Sequence, residues 1–99
     1  MIRHIVVWKL SATDAAAREQ ATVEVERAFA GLADVIPEVR ALRIERNVVH
    51  NDVNWDIALV SDFDSAEDLA AYQVNPDHRV AAAVVTARVS SRASIDYEF

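Results

Sequence analysis

Met1-Ile2-Arg3-His4-Ile5-Val6-Val7-Trp8-Lys9-Leu10 opens the chain, and the reading of this stretch decides the fold. Ile2 to Leu10 is rich in β-branched and aromatic residues and alternates along its length, as a strand with two faces does. One face would carry His4, Val6 and Trp8, the other Ile5 and Val7. Neither set is cleanly polar. The stretch has a superficial likeness to a signal peptide. However, Lys9 breaks the apolar run, no small-residue cleavage site follows, and the strand reading accounts for the pattern better. No apolar stretch approaches the roughly 20 residues that span a bilayer. No membrane association and a cytoplasmic location are expected.

Downstream of that strand, Thr13 or Ser11 can cap a helix, with Asp14 and Glu19 near its positive end. Ala17, Ala21, Val25, Ala28, Phe29, Leu32 and Ile36 recur at the spacing of one helical face, and Gly31 and Pro37 mark its fraying end. A second strand is expected over about 39–49, a turn at His50-Asn51-Asp52, and a third strand over 55–63. Ser65 caps the next helix, which carries Leu69 and Tyr72. Asn75-Pro76 then restarts it, because Asn is a good N-cap and Pro suits the first helical position. The second helical piece holds His78 and runs to about Thr86, and a last strand covers about 87–99. The order β-α-β-β-α-β is the ferredoxin-like arrangement, an α+β fold with a four-stranded antiparallel sheet.

Ninety-nine residues suit one domain, residues 1–99, with no repeat or linker. The absence of cysteine excludes a disulfide framework and a thiolate nucleophile. A net charge of −6 leaves no basic stripe to replace phosphate counterions, which argues against nucleic acid; Arg40, Arg43 and Arg46 cluster, but among Glu38 and Glu45. The hydrophobic fraction of 53% exceeds what one small core needs. In this topology helices cover one sheet face only, and an uncovered apolar face would be a large exposed patch. Pairing two such faces across a two-fold axis removes it, so a homodimer through the open sheet face is expected, the two sheets forming a dimeric α+β barrel.

Four segments together resemble a known family: the opening strand, Trp55-Asp56-Ile57-Ala58-Leu59-Val60 leading into Phe63, Tyr72-Gln73-Val74-Asn75-Pro76-Asp77-His78, and Ile95-Asp96-Tyr97. The chain resembles the stress-responsive A/B barrel (Dabb) domain family along essentially its whole length. The Tyr-x-x-x-Pro-x-His segment is the most specific part. The resemblance implies a dimeric α+β barrel without implying one activity. Some plant members are stress proteins, and one is a polyketide cyclase that closes its chain by aldol condensation. Similarity to that cyclase implies Tyr72 and His78 as catalytic residues and His4 as a pocket histidine. Phe29 stands where the cyclase has a pocket tyrosine, Asp56 where it has a second histidine, and Arg92 and Ser94 where it has apolar residues. Some members bind magnesium through backbone carbonyls, which would lie near Ala33, Ile36 and Val39 here.

If the resemblance sets which sheet face meets the helices, His4, Asp56, Arg92 and Ser94 point toward Tyr72 and His78. Buried charges are costly unless paired, so such a set makes either a satisfied network or a solvated pocket. His78 titrates near neutrality and can accept a proton from carbon or oxygen. The Tyr72 hydroxyl can hold a carbonyl or enolate oxygen. An unbroken helix would set these two residues roughly 600° apart at roughly 100° per residue, so the Asn75-Pro76 break is needed to bring them to one opening. The plainer alternative is an exposed His78 in a first helical turn and a Tyr72 ring in the core.

His4 and Asp56, on neighbouring strands, form either a structural pair or part of the chemistry, and Arg92 either neutralises Asp56 or clamps a ligand carboxylate or enolate. Trp8 and Trp55 are core and interface rings, with Trp8 beside the pocket. A metal held by His4, Asp56 and His78 would draw on three elements with no local spacing motif. The expectation is therefore a small-molecule pocket between sheet and helices, with no organic cofactor. That pocket would serve a polyketide cyclase-like or isomerase proton transfer, or else a non-catalytic stress-response or ligand-sequestering dimer.

Overall fold

The computed structural model describes every residue from Met1 to Phe99. Its elements are β1 (Ile2–Leu10), α1 (Ala15–Phe29), α2 (Leu32–Val35), β2 (Ala41–Arg46), β3 (Ile57–Phe63), α3 (Ala66–Val74), α4 (Pro76–Thr86) and β4 (Val89–Glu98). The four strands form one antiparallel sheet in the order β2-β3-β1-β4, the ferredoxin-like arrangement. No helix is long and apolar enough to cross a membrane.

Local chemistry explains where these elements start and stop. The N-cap of α1 is Asp14, whose carboxylate accepts from the Ala17 N–H at 2.8 Å, rather than Ser11 or Thr13. The apolar periodicity that continues to Ile36 is broken into α1 and α2 by Gly31, which sits in the left-handed region at φ 73°. Ser65 caps α3 through the Asp68 N–H. The second strand is shorter than its apolar residues suggest. Val39 is buried in a turn closed by its own N–H to the Ile36 carbonyl, and past Arg46 the Asn47 side chain ties the chain into a loop through Val49 and Asn51. The last strand starts at Val89, because the Ala87 N–H still completes the helix at the Ala83 carbonyl.

Register decides which side chains meet the helices. Trp8 pairs with Ile57 and Arg92, Val6 with Leu59 and Ser94, and His4 with Ser61 and Asp96. These rows share the helix-covered face, over which Val25, Phe29, Leu69, Tyr72 and Val85 close the core. On β3 that face therefore carries Ile57, Leu59, Ser61 and Phe63, so Ala58 and Val60 point the opposite way. The opposite face joins Ile5 to Val60 and Ile95, and Val7 to Ala58 and Ala93. No helix lies over it, and Ile95 is 61% exposed. At its edge Arg3 grips Asp62 with two hydrogen bonds of 2.8 and 3.0 Å. That guanidinium holds the Asp62 carboxyl below the usual carboxylate range. The two ends of the chain meet here as well, the Phe99 N–H donating to the Met1 carbonyl at 3.0 Å.

Nothing lies within 4 Å of where a Cβ would sit on Gly31, so a side chain there strains only the backbone. Gly31→Ala is expected to cost about 1 kcal/mol, lowering the calorimetric melting temperature by about 4–8 °C. An unchanged melting temperature would show that the left-handed turn is not held in solution.

Candidate active site

The break between α3 and α4 organises the site. Asn75 leaves helical geometry at φ −62° and ψ 133°, its side chain accepts from the Asp77 N–H at 2.9 Å, and Pro76 begins the new helix without an N–H to satisfy. The new helical direction brings His78 over Tyr72, with ring centroids 4.3 Å apart. The imidazole is half-buried. Its Nδ1 lies 3.1 Å from the Gln73 carbonyl oxygen, which has no proton to give, so Nδ1–H is the donor. Nε2 is then the basic nitrogen. Burial, foremost, and the electrostatic influence of the nearby His4, Arg92 and Arg79 push the His78 pKa below the ordinary histidine value, against the Gln73 carbonyl that raises it. His78 is therefore neutral at pH 7.

Tyr72 is fully buried between that imidazole and Phe63, whose ring centroid is 5.0 Å away. Burial raises its pKa well above the usual phenol value, so it stays protonated. Its hydroxyl is buried and no protein group hydrogen-bonds to it. A buried hydroxyl that no protein group meets costs about 1–3 kcal/mol, and its proton is free to be donated.

Both side chains line a cavity of about 310 Å³ between sheet and helices. Its sheet wall is His4, Val6, Trp8 and Leu59, and its helix wall adds Phe29, Ala82, Val85 and Thr86. Val89, Ser90, Ser91 and Arg92 complete its rim. Phe29 stands 6.2 Å from Trp8 and 6.5 Å from His78, giving an aromatic lining from one end to the other. His4 is buried with Nδ1 2.5 Å from Asp96 Oδ1, which fixes the ring orientation.

The structure thus brings His78, Tyr72, His4, Phe29, Trp8 and Arg92 to one cavity and leaves two expected residues out. Asp56 lies just before β3 and outside the cavity lining. One carboxylate oxygen accepts from the Leu10 N–H at 2.8 Å and the other from Arg18 at 2.5 Å. It braces the end of β1 against α1, so it is neither the partner of His4 nor the counter-charge of Arg92. Asp96 is that histidine's carboxylate. Ser94 shares the helix-side face of β4 but is exposed outside the cavity lining, and its hydroxyl meets Arg92 at 3.3 Å. With Asp56 elsewhere, His4, Asp56 and His78 do not converge, and no group of three His, Asp or Glu side chains is placed to hold a metal.

The turn after α2 gives a separate test of the magnesium that the family resemblance implies. Oε2 of Glu38 is buried there without a partner, an oxygen that a hard cation would satisfy. The Ile36 carbonyl already accepts from the Val39 N–H at 3.2 Å. A cation held by Glu38 and the neighbouring carbonyls would brace this turn, and none of these residues lines the cavity.

Tyr72→Phe removes the orphaned hydroxyl and leaves the ring. Unfolding in denaturant without ligand is expected to show the variant as stable as the parent or up to about 2 kcal/mol more stable. A clear loss of stability would mean that the hydroxyl already has a partner.

Three solved structures place this architecture among known proteins. A dimeric protein with a ferredoxin-like fold from Bacteroides fragilis is 29% identical and has a TM-score of 0.89, the match covering 99% of this chain and 95% of the other. A dimeric ferredoxin-like protein from Thermobifida fusca is 28% identical at a TM-score of 0.81, covering 99% and 90%. The hydroxynitrile lyase of Passiflora edulis shares the fold at 18% identity and a TM-score of 0.75, covering 97% and 90%. No curated protein gives a significant match. The profile of the stress-responsive A/B barrel domain matches residues 2–99, and the chain belongs to that family.

Proposed function

We propose that residues 1–99 act as a single domain, pairing with a second copy through the open sheet face, and that each copy catalyses cofactor-independent proton transfer on a small carbonyl compound. The observation that carries this reading is the buried, unpartnered Tyr72 hydroxyl beside a neutral His78. A carbonyl oxygen in the cavity would accept the Tyr72 O–H while His78 Nε2 takes a proton from the adjacent carbon. The C–H electron pair becomes the enolate double bond, and the negative charge that collects on oxygen is held by the phenol. The imidazolium can return its proton at another carbon, an isomerisation. Alternatively, the enolate carbon attacks a second carbonyl in the same molecule, whose π pair becomes an alkoxide that takes the imidazolium proton, a polyketide cyclase-like ring closure. His4, held by Asp96, and the aromatic walls at Trp8 and Phe29 would position the compound. A relative with this fold is a hydroxynitrile lyase, so the architecture accommodates an enzyme.

The dimer reading is supported by the bare row of Ile5, Val7, Ala58, Val60, Ala93 and Ile95, and by the two 28–29% identical relatives, both dimers. Placing a charge in the middle of that row would strand it in an apolar interface. Val7→Asp is expected to sediment as a monomer where the parent sediments as a dimer. A parent that stays monomeric at micromolar concentration would remove the barrel from this reading.

Exchange of α-protons for deuterium in a panel of simple ketones and 1,3-diketones, followed by NMR, tests the chemistry. The rate should climb with pH through a point below about 6.5 and level off by neutrality, as His78 loses its proton. His78→Ala should lower it by about 10²–10⁴-fold and Tyr72→Phe by about 10²–10³-fold. Compounds that bind without faster exchange, or exchange that is unchanged in His78→Ala, would leave a ligand-sequestering dimer instead.

A further inference from the structure

Acidic side chains outnumber basic ones in this chain by 16 to 10, so an approaching anion meets net repulsion. The cavity reverses that balance. None of its lining residues is acidic, and Arg92 stands in its wall beside a neutral His78. Asp96, the carboxylate nearest in register, is taken up by His4 at 2.5 Å.

Arg92 is unlike most arginines of the molecule. Arg3, Arg18, Arg40, Arg43, Arg46 and Arg88 each hold a carboxylate in an ion pair. Arg92 holds none; its side-chain hydrogen bond goes to the Ser94 hydroxyl at 3.3 Å, a neutral group that steadies the guanidinium without neutralising it. The register sets Arg92 across from Trp8, so the positive fork stands at one end of an aromatic wall. That wall runs from Trp8 to Phe29 and on to His78 and Tyr72. An unpaired guanidinium next to flat apolar walls matches a ligand with a carboxylate at one end and a planar body.

We propose that this cavity takes a small aromatic or unsaturated carboxylate, with Arg92 as the residue that binds the acid group. The inference rests on the Tyr72–His78 cavity being a ligand site and adds the class of ligand. The acid group would anchor at Arg92, the planar body would lie along Trp8 and Phe29, and the far end would reach the Tyr72 hydroxyl. Arg92 is then the residue that chooses the substrate, separate from the pair that does the chemistry.

Benzoate and benzamide nearly share a shape and differ in charge, which makes them the probe pair. Titration at low salt, read from the NMR signals of the Trp8 and His78 side chains, should show benzoate binding roughly tenfold tighter. Arg92→Gln should erase that preference and leave benzamide unchanged, and Arg27→Gln, at an exposed arginine outside the cavity lining, should keep it. Equal binding of the two probes to the parent, or a preference that survives Arg92→Gln, overturns the inference while the cavity remains a ligand site. If neither probe moves the Trp8 or His78 signals, the inference and the cavity reading fail together.

Discussion

Strand β1 is hydrogen-bonded on both sides, to β3 and to β4, and that double pairing is the constraint from which the rest of the structure follows. A strand held by two neighbours cannot slip by one residue without breaking two ladders and turning its whole apolar set over. His4, Val6 and Trp8 are thereby committed to the helix side, where they floor the cavity. Ile5 and Val7 are committed to the bare side. One register thus builds both surfaces that matter, the concave site and the flat apolar face.

The second requirement is a discontinuity. In a single helix through residues 66–86, Tyr72 and His78 would have pointed apart. Breaking it at Asn75 forfeits helical hydrogen bonds, part of which the Asn75 side chain and the Tyr72 carbonyl recover at 2.9 and 3.2 Å. In return two rings with opposite proton affinities share one opening. The same low-dielectric surroundings make the imidazole easier to keep neutral and the phenol harder to ionise, which is how a base and a hydrogen-bond donor coexist at 4.3 Å.

Much of this was legible in the residues. Element order and the Ser65 and Asn75 caps follow from local chemistry that reads along the chain, whereas the pairing of Tyr72 with His78 comes from the family resemblance, the residues alone leaving an exposed His78 equally open. Asp56 was misplaced because alternation sorts residues into two sets without saying which set faces the helices, and because it lies one residue before the strand begins. The competing backbone N–H of Leu10 and the guanidinium of Arg18 then captured its carboxylate. The role of Asp96 was within reach, since it alternates with Arg92 and Ser94 on β4, but pairing it with His4 requires the β1–β4 register. Glu38 and the Gln73 carbonyl carry no sequence signal at all. The bulge that shifts pairing between Lys9 and Leu10, and so brings Val89 under the helices, is likewise invisible until the strands meet.

The meeting of Met1 with Phe99 has a bearing on how the chain acquires its shape. Of the four strands the inner β1 comes earliest in the chain and its neighbour β4 latest, so before β4 is in place only the β2–β3–β1 part of the sheet can close. Long-separation pairings of this kind form slowly, because the intervening chain must be ordered before they reward it. Until β4 docks, one edge of β1 stays unsatisfied, an open ladder beside Ile5 and Val7. Docking of the last strand therefore satisfies the second edge of β1 and supplies Val89 to Arg92 of the cavity, which is incomplete until then.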